Sequence, residues 1–184
     1  MAHLTKKAIK DSFIKLLNKH PFDKITVKDI VEDCGINRNT FYYYYQDIYD
    51  LLEDVFESET VAMLEDNKEY QSWQEGIIES AKFAMENRQL VYHVYNSINR
   101  DQLERYLYSV SEYIMGQYVK LQLEGLEVDE YDVKLITVFY KHAVVGIIME
   151  WVQNGMKDEP ETVIKRLGEL VDGNIRQALE RAAK

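Results

Sequence analysis

Apolar residues recur every three or four positions along almost the whole chain, and the interruptions fall where helix caps belong. Ile9, Phe13, Leu16 and Leu17 share one face of a helix over about residues 4–18. His20-Pro21 ends it, because the residue before proline is pushed out of the α region. Thr26 opens a short second helix by capping the amide of Asp29, and Gly35 stops it. Asn37 caps a third, with Ile36 able to pack on Phe41 as a hydrophobic staple. Asp47 to Asp50 repeats the cap pattern and starts a fourth helix striped by Leu51, Leu52, Val55, Phe56 and Ala62. After a polar stretch, Ser72-Trp73-Gln74-Glu75 is a capping box that starts a fifth helix running to about Glu86. A sixth covers about residues 89–98, and a seventh about 101–123, ending before Gly125.

The eighth helix, capped by Asp129 with Asp132, is apolar nearly all round. Leu135, Phe139, His142, Gly146 and Met149 form one face; Ile136, Tyr140, Val144, Ile147 and Trp151 form another. A helix greasy on both sides must bury both. Pro160 suits the first turn of a ninth helix, whose stripe of Val163, Leu167, Leu170, Asn174, Ala178 and Ala182 runs to the end. The expected fold is all-α with about nine helices: a three-helix helix-turn-helix domain at 1–50, then a larger helical domain at 51–184.

Composition agrees. Two prolines and eight glycines in 184 residues leave little to punctuate strands and turns. Residues 1–19 lack the continuous apolar run of a secretory signal, so a cytoplasmic location is expected. The apolar stretch 135–152 contains Lys141, His142 and Glu150, which favours a buried helix over a membrane span. A lone Cys34 allows no disulfide framework, and His93 and His142 lack acidic or Cys partners at ligand spacing, so neither a metal nor a cofactor is expected.

The net charge of −10 argues at first against a nucleic-acid partner, but its distribution reverses that inference. Residues 1–46 hold eight Lys/Arg against five Asp/Glu, a net of +3, which leaves −13 on the remainder. A basic end on an acidic body orients one face toward phosphate.

The second helix of a helix-turn-helix enters the major groove by its N-terminal end while the first braces it across the backbone. Ile30, Val31, Cys34, Ile36 and Phe41 supply the small core between the two helices here, and Gly35 the turn. Asn37, Arg38, Asn39 and Thr40 are then suited to base edges: arginine grips guanine bidentately, asparagine adenine, and threonine offers a hydroxyl and a methyl. Tyr42, Tyr43 and Tyr44 bring phenols within reach of phosphates, as do Thr26 and Lys28 from the preceding helix.

Residues 25–52, ITVKDIVEDCGINRNTFYYYYQDIYDLL, resemble the DNA-binding signature of TetR/AcrR-family regulators. The resemblance implies DNA contacts from Thr26, Lys28, Asn37, Arg38, Asn39, Thr40, Tyr42, Tyr43 and Tyr44, and a core place for Tyr45. Where that family usually opens its fourth helix with a phosphate-touching lysine, this chain has Ile48. Residues 139–156, FYKHAVVGIIMEWVQNGM, are similar to the C-terminal domain of a subgroup that includes regulators of dihydroxyacetone kinase genes. The family implies that 51–184 is an effector-binding and dimerisation domain and that the chain forms a homodimer, with Val144, Ile147, Trp151, Leu167, Leu170, Asn174 and Ala178 at the interface. It also implies a repressor on a near-palindromic double-stranded operator, released by a small-molecule or protein effector. Phe83, Tyr92, Tyr95, Met115, Tyr118, Phe139, His142 and Met149 are the candidate effector-pocket residues, although a Met and aromatic stripe at helical spacing is equally what a core looks like.

Two rivals stand beside this reading. An enzyme would need an organised nucleophile, paired carboxylates or a phosphate loop, and the sequence has no GxGxxG, GxxxxGK or HExxH, so none is expected. A coregulator whose acidic C-terminal domain binds a protein partner in place of a small molecule is permitted by the surface acids.

Overall fold

A computed structural model of the chain describes residues 2–65, 72–97, 99–171 and 173–183. The polar stretch after the fourth helix, the side chain of Ala62 and the expected sixth-helix end at Ile98 lie outside the described residues. Every described element is helical: α1 (Ala2–Leu17), a 3-10 turn (Phe22–Lys24), α2 (Val27–Cys34), α3 (Arg38–Tyr44), α4 (Ile48–Glu65), α5 (Trp73–Glu86), α6 (Arg88–Tyr95), α7 (Arg100–Gln122), α8 (Glu130–Gln153), α9 (Pro160–Leu170) and α10 (Asn174–Ala182). The all-α expectation holds, with one more helix than read from the stripe. The last apolar stripe is two helices, because Gly173 takes a left-handed backbone (φ 72°) that a continuous helix of L-residues does not adopt.

The chain folds as two units, Met1–Ala62 with Ala84–Tyr106, and Met63–Phe83 with Leu107–Lys184. The expected boundary at residue 50 therefore falls inside α4, and α6 joins the helix-turn-helix unit. The cause lies at the end of α1. Asn18 Nδ2 donates to Asn87 Oδ1 at 2.8 Å, and Asn18 Oδ1 accepts the Leu90 amide at 3.3 Å. That amide is one of the first-turn donors of α6, and Asn87 caps none of them with its own side chain. His93 Nδ1 adds a hydrogen bond of 2.7 Å to the Leu17 carbonyl. A carbonyl only accepts, so Nδ1 carries the proton.

Ile9, Phe13 and Leu17 are fully buried on α1, as the stripe predicts, with Phe22 edge-on to Phe13 at 6.2 Å. Ile30, Val31, Phe41, Leu51, Leu52, Val55 and Phe56 complete the interior that holds the first four helices. Each such side chain contributes about 1.5–3 kcal/mol through burial.

In the second unit Val110, Ile114, Met115 and Val119 of α7 are buried, as are Val144, Val145 and Val152 of α8, Ile164 of α9 and Ile175 and Leu179 of α10. α10 packs against α8. Arg176 of α10 donates to the carbonyls of Gln122 (2.7 Å) and Glu124 (2.8 Å) at the end of α7, where unpaired carbonyls and the negative helix end both favour a cation. Lys141 on α8 pairs with Glu112 on α7 at 2.9 Å. α8 is long and apolar enough to cross a membrane by length and composition, yet it is not buried all round: Leu135 and Phe139 face outward, so the two-sided burial expected of it is one-sided within the chain.

Candidate nucleic-acid interface

The turn between α2 and α3 is set by two caps and one glycine. Thr26 forms a full capping box with Asp29: its hydroxyl accepts the Asp29 amide at 3.3 Å, and Asp29 Oδ2 accepts the Thr26 amide at 2.9 Å. The Thr26 hydroxyl also donates to that carboxylate at 2.6 Å. Hydrogen bonds from the Thr26 side chain and backbone hold the Asp29 carboxyl below its usual range. Gly35 ends α2 in the left-handed region (φ 70°), which an L side chain adopts only with strain. Asn37 Oδ1 then accepts the Thr40 amide at 2.8 Å and the Thr40 hydroxyl at 3.1 Å, which starts α3.

α3 is seven residues long with a single fully buried side chain, Phe41. Everything else on it faces outward or lies at the margin. Arg38 and Asn39 are exposed, and among the described residues neither has an ion-pair or hydrogen-bond partner. Tyr43 is 80% exposed and stacks edge-on against half-buried Tyr44 at 4.9 Å, while exposed Tyr42 stands edge-on to Phe41 at 5.5 Å. The structure thus brings Asn37 through Tyr44 onto one protruding helix, with Thr26 and Lys28 exposed at the start of α2.

Caps take two of these side chains out of free circulation. Bidentate reading of adenine needs both amide atoms of an asparagine, and Asn37 spends its oxygen on Thr40. Thr40 spends its hydroxyl proton on Asn37, leaving a lone pair and its methyl. Lys28 keeps only a loose pair with Glu32 at 3.7 Å on the exposed surface.

The first-helix lysines counted in the basic end are partly engaged. Lys6 and Lys10 both reach Asp54 on α4 at 3.0 Å, and Lys15 reaches Asp33 on α2. Hydrogen bonds from Lys15 and then Ser12 hold the Asp33 carboxyl low. Tyr45, the C-cap of α3, is 3% exposed and donates to Asp54 Oδ2 at 2.7 Å. Sequence reasoning placed Tyr45 in the core and missed Asp54. The only signal was the four-residue spacing of Lys6 and Lys10, which puts both on one side of α1. Burial raises the Cys34 thiol, which keeps it protonated.

The residues expected to line an effector pocket are spread over both units. Met115 is fully buried and Phe83, Tyr95, Tyr118 and Met149 are half-buried, whereas Tyr92, Phe139 (66% exposed) and His142 face outward. Tyr95 carries the Arg100 guanidinium over its ring at 4.4 Å, and His142 spends Nδ1 on the Val138 carbonyl at 2.8 Å. A groove of about 800 Å³ in the second unit is lined instead by α5 and α9 residues such as Gln74, Ile78, Lys82, Lys165 and Gly168. None of the expected pocket residues contributes to it.

Among the expected dimer residues, Val144 is only 3% exposed and belongs to the chain's own core. Ile147, Trp151, Leu167 and Ala178 are half-buried, while Leu170 and Asn174 are exposed. Trp151 donates its indole N–H to the Asp158 carbonyl at 2.7 Å. The outward apolar row of α8 is Tyr131, Leu135 and Phe139, continued by exposed His142 and Gly146. Of the two faces read from sequence, Leu135, Phe139, His142 and Gly146 on the first are exposed, whereas on the second Val144 is buried and Ile136, Tyr140, Ile147 and Trp151 are half-buried.

Two family profiles match the chain. Residues 11–55 match the one described as bacterial regulatory proteins, tetR family, and residues 71–173 match the one described as a transcriptional regulator C-terminal region. The chain is 32% identical over 85 residues to the HTH-type dhaKLM operon transcriptional activator DhaS of Lactococcus lactis (strain IL1403), covering 46% of each chain. It is 24% identical over 177 residues to the HTH-type transcriptional regulator YxbF of Bacillus subtilis (strain 168), covering 89% of this chain and 43% of that one. It thus spans less than half the length of these curated relatives. Among solved structures, the dihydroxyacetone kinase operon activator DhaS superposes with a TM-score of 0.78 at 21% identity over 98% of both chains. The fatty acid degradation regulator FadR of Bacillus halodurans does so with a TM-score of 0.64 at 15% identity, over 95% of this chain and 93% of that one. With residues 11–55 and 71–173 both matched by profiles of such regulators, this chain belongs to the TetR family of bacterial regulatory proteins.

Proposed function

We propose that the chain is a sequence-specific DNA-binding regulator that acts in the cytoplasm as a homodimer on a near-palindromic operator, its affinity set by an effector bound to the second unit. The observation that carries the reading is the composition of the protruding side of α3. Arg38 and Asn39 are free to hydrogen-bond to base edges, and Tyr42, Tyr43 and Tyr44 flank them with phenols suited to phosphates. Thr26 and Lys28 steady the preceding helix on the backbone.

The outward row Tyr131, Leu135 and Phe139, with exposed Leu170 on α9, supports self-association. An exposed apolar row along α8 calls for a cover, and a two-fold pair covers it with the same face of a second copy. The proposed interface accordingly keeps Leu170, leaves out Val144 and adds Leu135 and Phe139. Two copies of α3 one helical turn apart, about 34–36 Å, then impose the operator's symmetry.

An effector changes DNA affinity only through its differential affinity for two states of the protein. A ~100-fold change in operator affinity needs about 2.7 kcal/mol of such coupling. Selection of bound sequences from randomised duplex DNA, paired with light scattering of the free protein, tests the whole reading. The expected results are an inverted repeat and a dimeric mass, with Phe139→Glu giving a monomer that has lost operator affinity. No enriched sequence, or a monomer that binds fully, would overturn it. A reporter carrying the operator then distinguishes repression, which the family resemblance implies, from activation, the role for which the Lactococcus relative is named.

A further inference from the structure

α3 has too few residues to fix its own direction. A helix of two turns is held by what grips its ends. At the N-terminal end the grip is Asn37. At the C-terminal end the backbone leaves the helix at Tyr45 in an extended conformation (φ −138°, ψ 138°), and this side chain turns inward against Phe41, with ring centroids 5.7 Å apart. Apolar packing alone would leave the phenol oxygen buried and unpaired, at a cost. It is paired instead with Asp54 on α4 at 2.7 Å.

Asp54 is in turn surrounded. Lys6 Nζ lies 3.0 Å from Oδ1 and Lys10 Nζ 3.0 Å from Oδ2. Lys10 also donates to Ser58 Oγ, one turn on along α4, and Ser58 returns a hydrogen bond to the Asp54 carbonyl. Lys6 stands 5.6 Å from the centre of the Tyr45 ring. One carboxylate, 18% exposed, thus collects a phenol from the end of α3 and two ammonium groups from α1. Burial alone would raise the Asp54 carboxyl, but hydrogen bonds from Tyr45, Lys10 and Lys6 together outweigh it and hold it low. Burial, and after it the Asp54 carboxylate, pushes the Tyr45 phenol up. Donor and acceptor therefore keep their roles across the neutral range.

We propose that Asp54 is a positioning residue for operator recognition, which sets the direction of the DNA-reading helix by fixing its C-terminal end, through Tyr45, to α4 and α1. It touches no DNA. Its effect on recognition runs through α3, whose outward side chains it aims, so the inference rests on α3 being the reading helix.

The test is Tyr45→Phe, Asp54→Asn and the double variant in the full chain, each put through selection from randomised duplex and then titrated against the wild-type operator and an unrelated duplex. Phe keeps the ring and its packing and removes only the hydroxyl. Tyr45→Phe should lower the operator-to-unrelated affinity ratio about tenfold while affinity for the unrelated duplex stays within twofold. Asp54→Asn should lower the ratio at least as much, its affinity for the unrelated duplex rising because Lys6 and Lys10 are released. The double variant should lose no more than the worse single, because both break one connection. Ile9→Val, a core change in α1 that lowers the melting temperature without touching the connection, should leave the ratio unchanged. If Ile9→Val reduces the ratio as much as Tyr45→Phe, the effect is general loosening and the proposal falls. It falls equally if Tyr45→Phe enriches the same sequence with the same ratio as wild type. A wild-type protein that enriches nothing overturns the reading helix and this inference together, whereas wild-type enrichment with indifferent variants overturns the inference alone.

Discussion

Asn37 is the residue to which the sequence assigns two tasks, capping α3 and reading a base, and replacing it separates them. Its side-chain oxygen accepts from the Thr40 amide at 2.8 Å and from the Thr40 hydroxyl at 3.1 Å, so it satisfies one of the first-turn donors of a seven-residue helix. Asn37→Ala removes that acceptor and costs about 1 kcal/mol of helix stability, within a range of roughly 0.5–2. Spent on the population of correctly formed α3, about 1 kcal/mol is roughly a fivefold loss of operator affinity at each half-site. Asn37→Ser keeps a capping oxygen and should stay within about twofold of wild type. Were Asn37 instead reading adenine bidentately, serine would lose ~1–3 kcal/mol, and the loss would be confined to one base pair. Fluorescence anisotropy at fixed ionic strength, with the selected operator and its single-base-pair variants, gives both numbers. A serine variant as weak as the alanine one, with discrimination lost at a single position, would refute the capping argument.

Other consequences follow from the same geometry. Arg38→Ala should relax preference at one operator position by ~1–3 kcal/mol, read as a flattened column in the selected motif. Lys28→Ala should weaken all duplexes alike and reduce the slope of log affinity against log salt by about 1. Gly35→Ala meets no atom within 4 Å, so its cost is backbone strain alone: about 1–2 kcal/mol in thermal unfolding, with Gly35→Asn losing less. Asp33 is held low by Lys15 and then Ser12. A carboxyl lowered on folding contributes stability that is complete above its unfolded value and is lost as pH falls through the folded one. Asp33→Asn should therefore lower the melting temperature at neutral pH and flatten the acid limb of its pH profile.

Most of the fold was legible because helix ends are written locally. Thr26, Asn37 and Asp129 each cap the helix that the sequence assigns to them, and a cap needs only residues within three positions. The unit boundary was not legible, since what joins α6 to the first unit is Asn18 meeting Asn87, 69 positions away, and no local pattern announces that contact. α8 failed for a different reason. Periodicity locates two apolar faces, but with little polar surface between them nothing in the pattern says which one its own chain covers. Tertiary packing decided it: Val144, Val145 and Val152 went inward and Phe139 was left outside. In the candidate site, residue types on α3 and the Asn37 cap are readable from position alone, whereas the Thr40 hydroxyl's bond to the same Asn37 oxygen depends on the folded geometry.

The same accounting changes what the basic end of the chain can do. Counted from sequence, residues 1–46 offer eight cations. In the fold Lys6 and Lys10 are consumed by Asp54, Lys7 by Asp11 and Lys15 by Asp33, while Lys28 leans on Glu32. Lys19, Lys24 and Arg38 enter no ion pair among the described residues. Sequence-independent attraction to DNA scales with the phosphates that free cations neutralise, so a surface with three or four of them per chain binds random duplex weakly. On the proposed function, recognition would then depend on hydrogen bonds from Arg38 and Asn39 and on the tyrosines beside them, which are directional and would fail if α3 tilted. A helix of seven residues cannot guarantee its own tilt. Lys6 and Lys10, which hold Asp54 and through it Tyr45, are then not available to phosphate: under the proposal the first helix would give up nonspecific grip and gain specific aim.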